Sequence, residues 1–312
     1  MWQVCLDPLN ICLIYSFYGF RKAEGRKKVQ KKHPVGPVIK WVGGKRQILD
    51  KILSCTPHKK SPYYEPFVGG GAVFFALKPK KAVINDINRE LINLYEVIKA
   101  DVDNLVEDLK KHRNESDYFY ELREKDRDRK AYAAMSPVEC ASRMLFLNKT
   151  CYNGLFRVNR AGEFNSPFGN YKKPNIVNED TLRAVSRYFN QADIRFSSVD
   201  FEKALEDVPK GAFVYLDPPY DPLSDTASFT GYDKGGFNRD EQLRLKSVCD
   251  GLTARGVHFL LSNSATSFTM ELYGNTKGYY LDVVRAKRAI NSNPEKRGEI
   301  DEILVRNYKL DT

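Results

Sequence analysis

The chain has 312 residues, with 50 Lys and Arg against 40 Asp and Glu, a formal charge of +10, and 42% hydrophobic and 12% aromatic residues. This is a globular composition with ample material for a core, and no apolar run approaches the roughly 18 residues of a membrane span. The basic excess and the aromatic content favour an anionic partner, nucleic acid first, with a merely basic soluble enzyme as the plain alternative.

Cysteines at 5, 12, 55, 140, 151 and 249 include no Cys-x-x-Cys pair, and the four histidines have no zinc spacing. A reduced, cytoplasmic protein with no metal site is expected. Residues 4–20 are patchily apolar and 21–32 strongly basic. A secretory signal carries its positive charge before the apolar run, and here the order is reversed. A membrane anchor, a DNA-contacting arm and sequence upstream of the true domain all remain open. A loosely packed extension over 1–36 is the favoured expectation.

Lys40-Trp41-Val42-Gly43-Gly44-Lys45 opens the domain. Its glycines let backbone approach a ligand, Trp41 offers an aromatic face and Lys45 a charge; a helix-entry turn with a partly buried Trp is equally compatible. A short helix is predicted over 47–53. Tyr63-Tyr64-Glu65-Pro66-Phe67 then reads as a strand, Val68-Gly69-Gly70-Gly71 as a glycine loop, and the apolar residues after it as a helix. Such a turn sets backbone N–H groups beside a cofactor. It is neither Gly-x-Gly-x-x-Gly nor a phosphate loop, which disfavours nicotinamide dinucleotide and ATP. A second strand, 82–86, ends in Asp86, placed to accept from the ribose hydroxyls of a nucleoside cofactor or, more plainly, to cap the helix predicted over 88–99.

About 130 residues separate Asp86 from the next acidic strand end, Asp217, which implies an inserted subdomain. Charged helices are predicted over 101–111 and 116–129, and another over 135–147 with Pro137 in its first turn. From Asn148 to Pro174 basic and aromatic residues alternate, with a turn at Arg160-Ala161-Gly162-Glu163 between two short strands. A two-stranded ribbon fits a DNA major groove, where Arg reads guanine and Asn reads adenine or replaces a displaced base. An exposed hairpin that merely solubilises is disfavoured, since it would leave many rings in water.

A strand is predicted from Ile194 to Asp200-Phe201, a pair that also reads as a helix cap and a core ring. Next, Ala212-Phe213-Val214-Tyr215-Leu216 is a buried central strand delivering Asp217-Pro218-Pro219-Tyr220 to a cleft edge. The prolines stiffen the turn and remove donors, leaving the Asp217 carboxylate and the Pro218 carbonyl as acceptors with Tyr220 as a flat wall. That suits a planar group bearing an NH2; a simple strand-terminating turn is the alternative. A long polar loop over 221–237, a helix beginning at 237–243, and strands over 258–264, 279–284 and 302–308 follow. The basic stretch 285–297 is a candidate phosphate contact.

Lys40-Trp41-x-Gly-Gly-Lys45, Glu65-Pro66-Phe67-x-Gly-Gly-Gly and Asp217-Pro218-Pro219-Tyr220, in that order, resemble the Dam-type DNA adenine methyltransferases over about residues 38–308. The resemblance implies an α/β, Rossmann-like methyltransferase sheet using S-adenosylmethionine. Residues 37–87 and 191–312 would form the catalytic domain. Residues 88–190 would form a mainly helical target-recognition subdomain carrying the β-hairpin. It implies transfer to the N6 amino group of a flipped adenine, in GATC for the Dam subgroup. The same turn in an amino methyltransferase acting on cytosine or RNA is the rival.

By the same resemblance Trp41, Lys45, Glu65, Phe67, Gly69, Gly71, Asp86, Asp200, Phe201 and Asp217 hold the cofactor, with Asp200 and Phe201 against its adenine. Arg157 would contact a guanine, Leu155 and Pro167 the thymine, and Tyr171 and Lys40 the other guanine. Tyr152 and Asn153 would fill the space left by the flipped base, with Asn159 in the same DNA-binding set. Phe156 and Arg160 are left without a role. The expected partners are double-stranded DNA and a cognate restriction endonuclease, with no membrane, for a chain working as a monomer.

Overall fold

The computed structural model describes residues 35–57, 61–222, 236–287 and 299–310, all within one compact unit running from 33 to 312. The N-terminal extension to 34, the polar loop from 223 to 235 and the basic stretch from 288 to 298 lie outside the described residues.

Seven strands form the central sheet: β1 Tyr63–Glu65, β2 Lys81–Asn85, β3 Asp193–Ser197, β4 Phe213–Leu216, β5 His258–Ser264, β6 Tyr280–Lys287 and β7 Glu299–Arg306. Their order is β3-β2-β1-β4-β5-β7-β6. Strands β1 to β5 pair in parallel, and β7 runs antiparallel between β5 and β6. Every residue of β4 is buried, as a strand flanked by parallel neighbours requires. The chain lays β2 and β3 on one side of β1 and then returns to place β4 on the other, pairing Tyr63 with Phe213 and Tyr64 with Val214. This reversal is a topological switch point, where the carboxyl ends of two neighbouring strands open onto one crevice. The glycine loop follows β1 and the Asp217 turn follows β4, so both predicted motifs reach the same crevice.

The helices are α1 Leu49–Ser54, α2 Ala72–Leu77, α3 Arg89–Ala100, α4 Val102–Leu109, α5 Ser116–Glu124, α6 Arg129–Ala133, α7 Pro137–Thr150, α8 Glu179–Gln191, α9 Phe201–Ala204, α10 Arg239–Ala254 and α11 Ser267–Gly274. Ser136 and Glu139 form a capping box on α7, with Pro137 at its first position. The stretch 116–129, expected as one helix, breaks at Lys125. There Asp126 turns inward onto Arg143, 2.8 Å away, and Asp128 caps α6 through the Lys130 and Ala131 amides. A helical carboxylate on the solvent face could not reach that buried guanidinium, so the ion pair sets the break. Helix α8 was not anticipated from sequence. Its Leu182, Val185 and Phe189 lie on one buried face. The rings of Phe189 and of Tyr95 in α3 then meet Phe196 of β3 at 5.1 and 5.8 Å. No helix among the described residues is long and apolar enough to cross a membrane.

Candidate active site

The glycine turn is closed from above by an aromatic ring. Gly69 and Gly71 both take left-handed backbone, at φ 50° and 69°. A Cβ on Gly69 would lie 2.6 Å from the Trp41 ring, so glycine is required there for conformation and for space. The Gly69 amide donates to Asp86 Oδ2 at 3.0 Å, and the Asn88 amide donates to Asp86 Oδ1 at 3.0 Å. Asn88, not Asp86, caps α3, accepting from the Leu91 amide at 3.0 Å. Asp86 is therefore tied to the glycine loop rather than spent on a helix end. Each of its oxygens retains a second lone pair. Burial raises its pKa, the two amides opposing. Glu65 lies deeper, accepting from Tyr63 Oη at 2.7 Å, and burial drives its pKa well up.

Across the crevice, Asp217 ends β4 with 20% of its side chain exposed and pairs with the 6%-exposed Lys45, Nζ to Oδ1 2.8 Å. Lys45 Nζ also donates to the Gly43 carbonyl at 2.7 Å and sits 4.5 Å from the centroid of the Tyr220 ring. One ammonium thus occupies both the acceptor and the aromatic face that the sequence assigned to a planar amine. Ser262 Oγ donates to the same Asp217 oxygen at 3.0 Å and lies 3.0 Å from Tyr215 Oη. Burial raises the Asp217 pKa, with Lys45 and then Ser262 pulling it back.

The rest of the turn is held by side chains that sequence reasoning did not single out. Gln242 Nε2 donates to the Pro219 carbonyl at 2.9 Å and is itself held by Asn263 Nδ2 at 3.0 Å. Asn263 Oδ1 accepts from the Asp221 amide at 3.1 Å. Ser264 Oγ and Thr266 Oγ1 donate to the Asp221 carbonyl and carboxylate at 2.5 and 2.7 Å. Tyr220 Oη donates to Glu302 Oε2 at 2.7 Å. Pro218 is buried and Pro219 exposed. The polar end of β5, Ser262-Asn263-Ser264, was the visible signal for this scaffold, since a buried strand rarely ends in three polar residues without partners for them.

The donor set of the crevice matches a nucleoside-bearing cofactor. Asp86 stands beside the glycine loop with lone pairs to spare. Phe67 is half-buried, its ring 5.4 Å from Phe201 and 5.7 Å from Phe237. These are an acceptor pair for hydroxyls and an aromatic wall for a ring, and they fit such a group. Asp200 here caps α9 through the Glu202 amide at 3.0 Å and receives Arg244 Nη2 at 2.5 Å, while Phe201 is buried beneath the same guanidinium. That is the plainer of the two sequence readings of this pair.

The expected hairpin is present as a turn with two isolated bridges, Cys151 to Phe168 and Val158 to Phe164, rather than as two strands. Asn148 fixes its root: it accepts from the Lys40 amide at 3.0 Å and donates to the Lys40 and Gly154 carbonyls at 2.8 and 3.2 Å. Lys40 Nζ consequently lies 5.9 Å from the Tyr171 ring centroid. Tyr152 and Asn153 are exposed, Asn153 with φ 57°. The Tyr152 amide donates to the Pro167 carbonyl at 2.8 Å, and Ser166 Oγ to the Leu155 carbonyl at 2.5 Å, so Tyr152 meets Pro167 and Leu155 meets Ser166 across the turn. Arg157 is exposed and steadied by Asn165, Nε to Oδ1 2.7 Å. Asn159 is committed to the turn: its Oδ1 accepts from the Ala161 and Glu163 amides, and its Nδ2 donates to Glu163 Oε2 at 2.7 Å.

Against the expectation that its rings would otherwise stand in water, the hairpin packs three of them against the protein. Phe156 stacks on Trp41 at 5.1 Å, Phe164 is buried, and Phe168 packs on Phe119 at 5.3 Å. Phe156, which the sequence left without a role, joins the hairpin root to the crevice. The basic face beside it is close-set. Lys149 is lowered from its usual value to about 8, by burial first and then by Lys40 and Arg46.

Comparison with known proteins gives one consistent answer. The family model described as D12 class N6 adenine-specific DNA methyltransferase matches residues 41–290. A protein named type II methyltransferase M1.LlaDCHI from Lactococcus lactis subsp. cremoris is 43% identical over 274 residues, covering 87% of this chain and 95% of that one. Type II methyltransferase M.MjaIII from Methanocaldococcus jannaschii is 42% identical over 294 residues, covering 88% and 99%. The DNA adenine methylase of Escherichia coli K12 is 35% identical over 271 residues, covering 86% and 93%.

Proposed function

This chain belongs to the D12 class of N6 adenine-specific DNA methyltransferases, and from that premise we propose that it methylates a flipped adenine in GATC with S-adenosylmethionine as donor. The observation that carries the reading is the shared crevice: Asp217 and the glycine turn end neighbouring strands, and an ammonium already sits on Asp217 and over Tyr220. A primary amine on a flat ring satisfies the same two groups.

An adenine inside a duplex cannot meet a methyl donor, so it must leave the stack, which costs a few kcal/mol. Tyr220 receives its face, a contact worth about 1–3 kcal/mol. Lys45 must leave that face for the base to stack. The ionised Asp217 and the Pro218 carbonyl accept from the amino group, turning its lone pair out of conjugation with the ring. Asp86, Phe67, Trp41 and the glycine turn would hold the cofactor, with Asp200 and Phe201 at its adenine. When bound, S-adenosylmethionine would supply the sulfonium-borne methyl and depart as the neutral thioether, while the nitrogen, acidic only once alkylated, would give up a proton by way of the Asp217 carboxylate to solvent. Holding the nucleophile in line supplies much of the rate. Arg157, Leu155, Pro167, Tyr171, Lys40, Tyr152 and Asn153 stand on the hairpin side of the crevice and are proposed to read the site, with Asn159 shaping the turn that presents them.

We extend the reading to a monomer working in the cytoplasm, with 88–190 as the recognition part. Relatives named type II methyltransferases support a cognate endonuclease as its counterpart. The test is methylation of a plasmid in vitro followed by digestion with enzymes sensitive and insensitive to N6-methyladenine in GATC. Protection confined to the sensitive enzyme is expected. Methylation of adenine elsewhere would overturn GATC alone, and label on cytosine or RNA would overturn the whole proposal.

A further inference from the structure

We propose that Glu302 is a positioning residue for the methyl transfer, acting through Tyr220; this rests on the function proposed above. Tyr220 is the turn's aromatic wall, and a stacking ring is useful only if its axis is fixed. The Asp-Pro-Pro backbone fixes the Cβ end. The far end is fixed by the bond from Tyr220 Oη to Glu302 Oε2, 2.7 Å long. The Lys45 ammonium, 4.5 Å from the ring centroid, covers one face in this state.

The carboxylate comes from β7, the strand that runs against the rest of the sheet. Pairing places Glu302 opposite Ser264 of β5 and Val284 of β6. Alternation sends Glu302 to the same face as Leu304, which joins the core containing Tyr215 and Leu260. Three strands adjacent in sheet order, β4, β5 and β7, therefore bring Asp217, Ser262 and Glu302 to one face, with Glu302 one same-face pair beyond Ser262 in the register. Ser262 steadies the carboxylate that takes the amine, and Glu302 steadies the ring beside it. An unpaired hydroxyl in this half-buried place would need another acceptor, and the ring would tilt to find one.

What matters on this account is an acceptor oxygen at the end of the Glu302 side chain, not its charge. The experiment compares Glu302→Ala, Glu302→Gln, Tyr220→Phe and Tyr220→Phe/Glu302→Ala on whichever adenine-containing duplex the wild-type enzyme methylates. Glu302→Ala is expected to lower the single-turnover rate about tenfold, with KM for duplex and Kd for S-adenosylmethionine within about twofold. Glu302→Gln should recover most of that loss, because its amide oxygen still accepts. Tyr220→Phe should match Glu302→Ala, and the double variant should be no slower than either single one. The fluorescence of 2-aminopurine at the target should still rise in all four, since flipping itself is not at issue. An additive double variant, a Glu302→Ala enzyme with wild-type rate, or a Gln variant as slow as Ala would each overturn the proposal. If the wild-type enzyme methylates no adenine in DNA, the functional reading fails instead, and the two outcomes are separate.

Discussion

Replacing Asp217 by Asn asks whether the catalytic turn is built on a buried charge pair. Lys45 keeps 6% exposure and Asp217 20%, with Nζ and Oδ1 2.8 Å apart. Removing one partner of a buried pair costs about 3–5 kcal/mol, because the other charge stays behind without compensation. The Gly43 carbonyl still accepts from Lys45 at 2.7 Å, and the carboxylate is partly exposed. Burial of the carboxylate, which raises the Asp217 pKa, opposes this further, so the expected loss falls below that range, at about 1–2 kcal/mol. Adding Lys45→Met removes the stranded ammonium while keeping most of its volume, so the double variant should regain more than half of the loss. Methyl transfer should not follow. Both variants lack the ionised acceptor, and each should fall at least about a hundredfold, or about 2.7 kcal/mol, in single-turnover rate. Urea unfolding followed by circular dichroism and single-turnover transfer of labelled methyl measure the two quantities. An Asp217→Asn protein within about 0.5 kcal/mol of wild type, or a double variant less stable than the single, would refute the reasoning.

Burial raises the Asp217 pKa above the ordinary aspartate value, with Lys45 opposing. The folded enzyme therefore takes up this proton earlier as pH falls, and the acid limb of the single-turnover profile should lie above the usual aspartate range; a limb at or below that range counts against the assignment. His112, bonded to Tyr118 Oη at 2.7 Å and Ser142 Oγ at 2.9 Å, is lowered from 6.5 to about 4, chiefly by burial. The unfolded chain then binds this proton first, so stability is lost as pH falls from about 6.5 towards about 4. His112→Gln should shrink the difference in urea midpoint between neutral and acid solution, and an unchanged difference would exclude the residue. Lys149, at about 8, should lose charge as pH rises through that value, weakening duplex binding by anisotropy, with Lys149→Arg flattening the slope. Arg157→Ala should cost about 1–3 kcal/mol of discrimination at one base; equal losses on cognate and scrambled duplex would make it a phosphate contact instead.

The motifs that position chemistry were legible because they are local. A buried run ending in Asp217-Pro218-Pro219-Tyr220 and a strand ending in a glycine turn each state their shape within a few residues, and both fall at the switch point. The groups that hold those motifs were not legible, because pairing creates their roles. Glu302 reaches Tyr220 across 82 positions of sequence, and Asn148 clasps Lys40 across 108. Neither carries a local signal that separates it from a surface Glu or Asn. Helix α8 was missed for a different reason: its polar residues outnumber the four apolar ones that bury it. The hairpin rings misled in the opposite direction, since an alternating basic and aromatic stretch reads as a surface while Phe156, Phe164 and Phe168 pack inward.

Polarity is divided by place in this chain. On the hairpin side, burial first and then the neighbouring Lys40 and Arg46 depress Lys149. Within the crevice the balance reverses. Burial raises Glu65, Asp86, Asp217 and Glu302, and Glu65 also feels Asp217 and Asp86, as Glu302 feels Asp217. Lys45 answers two of these four, pairing with Asp217 and lowering Glu302. A group of carboxylates left short of positive charge favours a cationic ligand, and the sulfonium of the proposed donor is one. The basic exterior would draw the polyanion while the acidic interior draws the donor, so each electrostatic preference excludes the other ligand from its place.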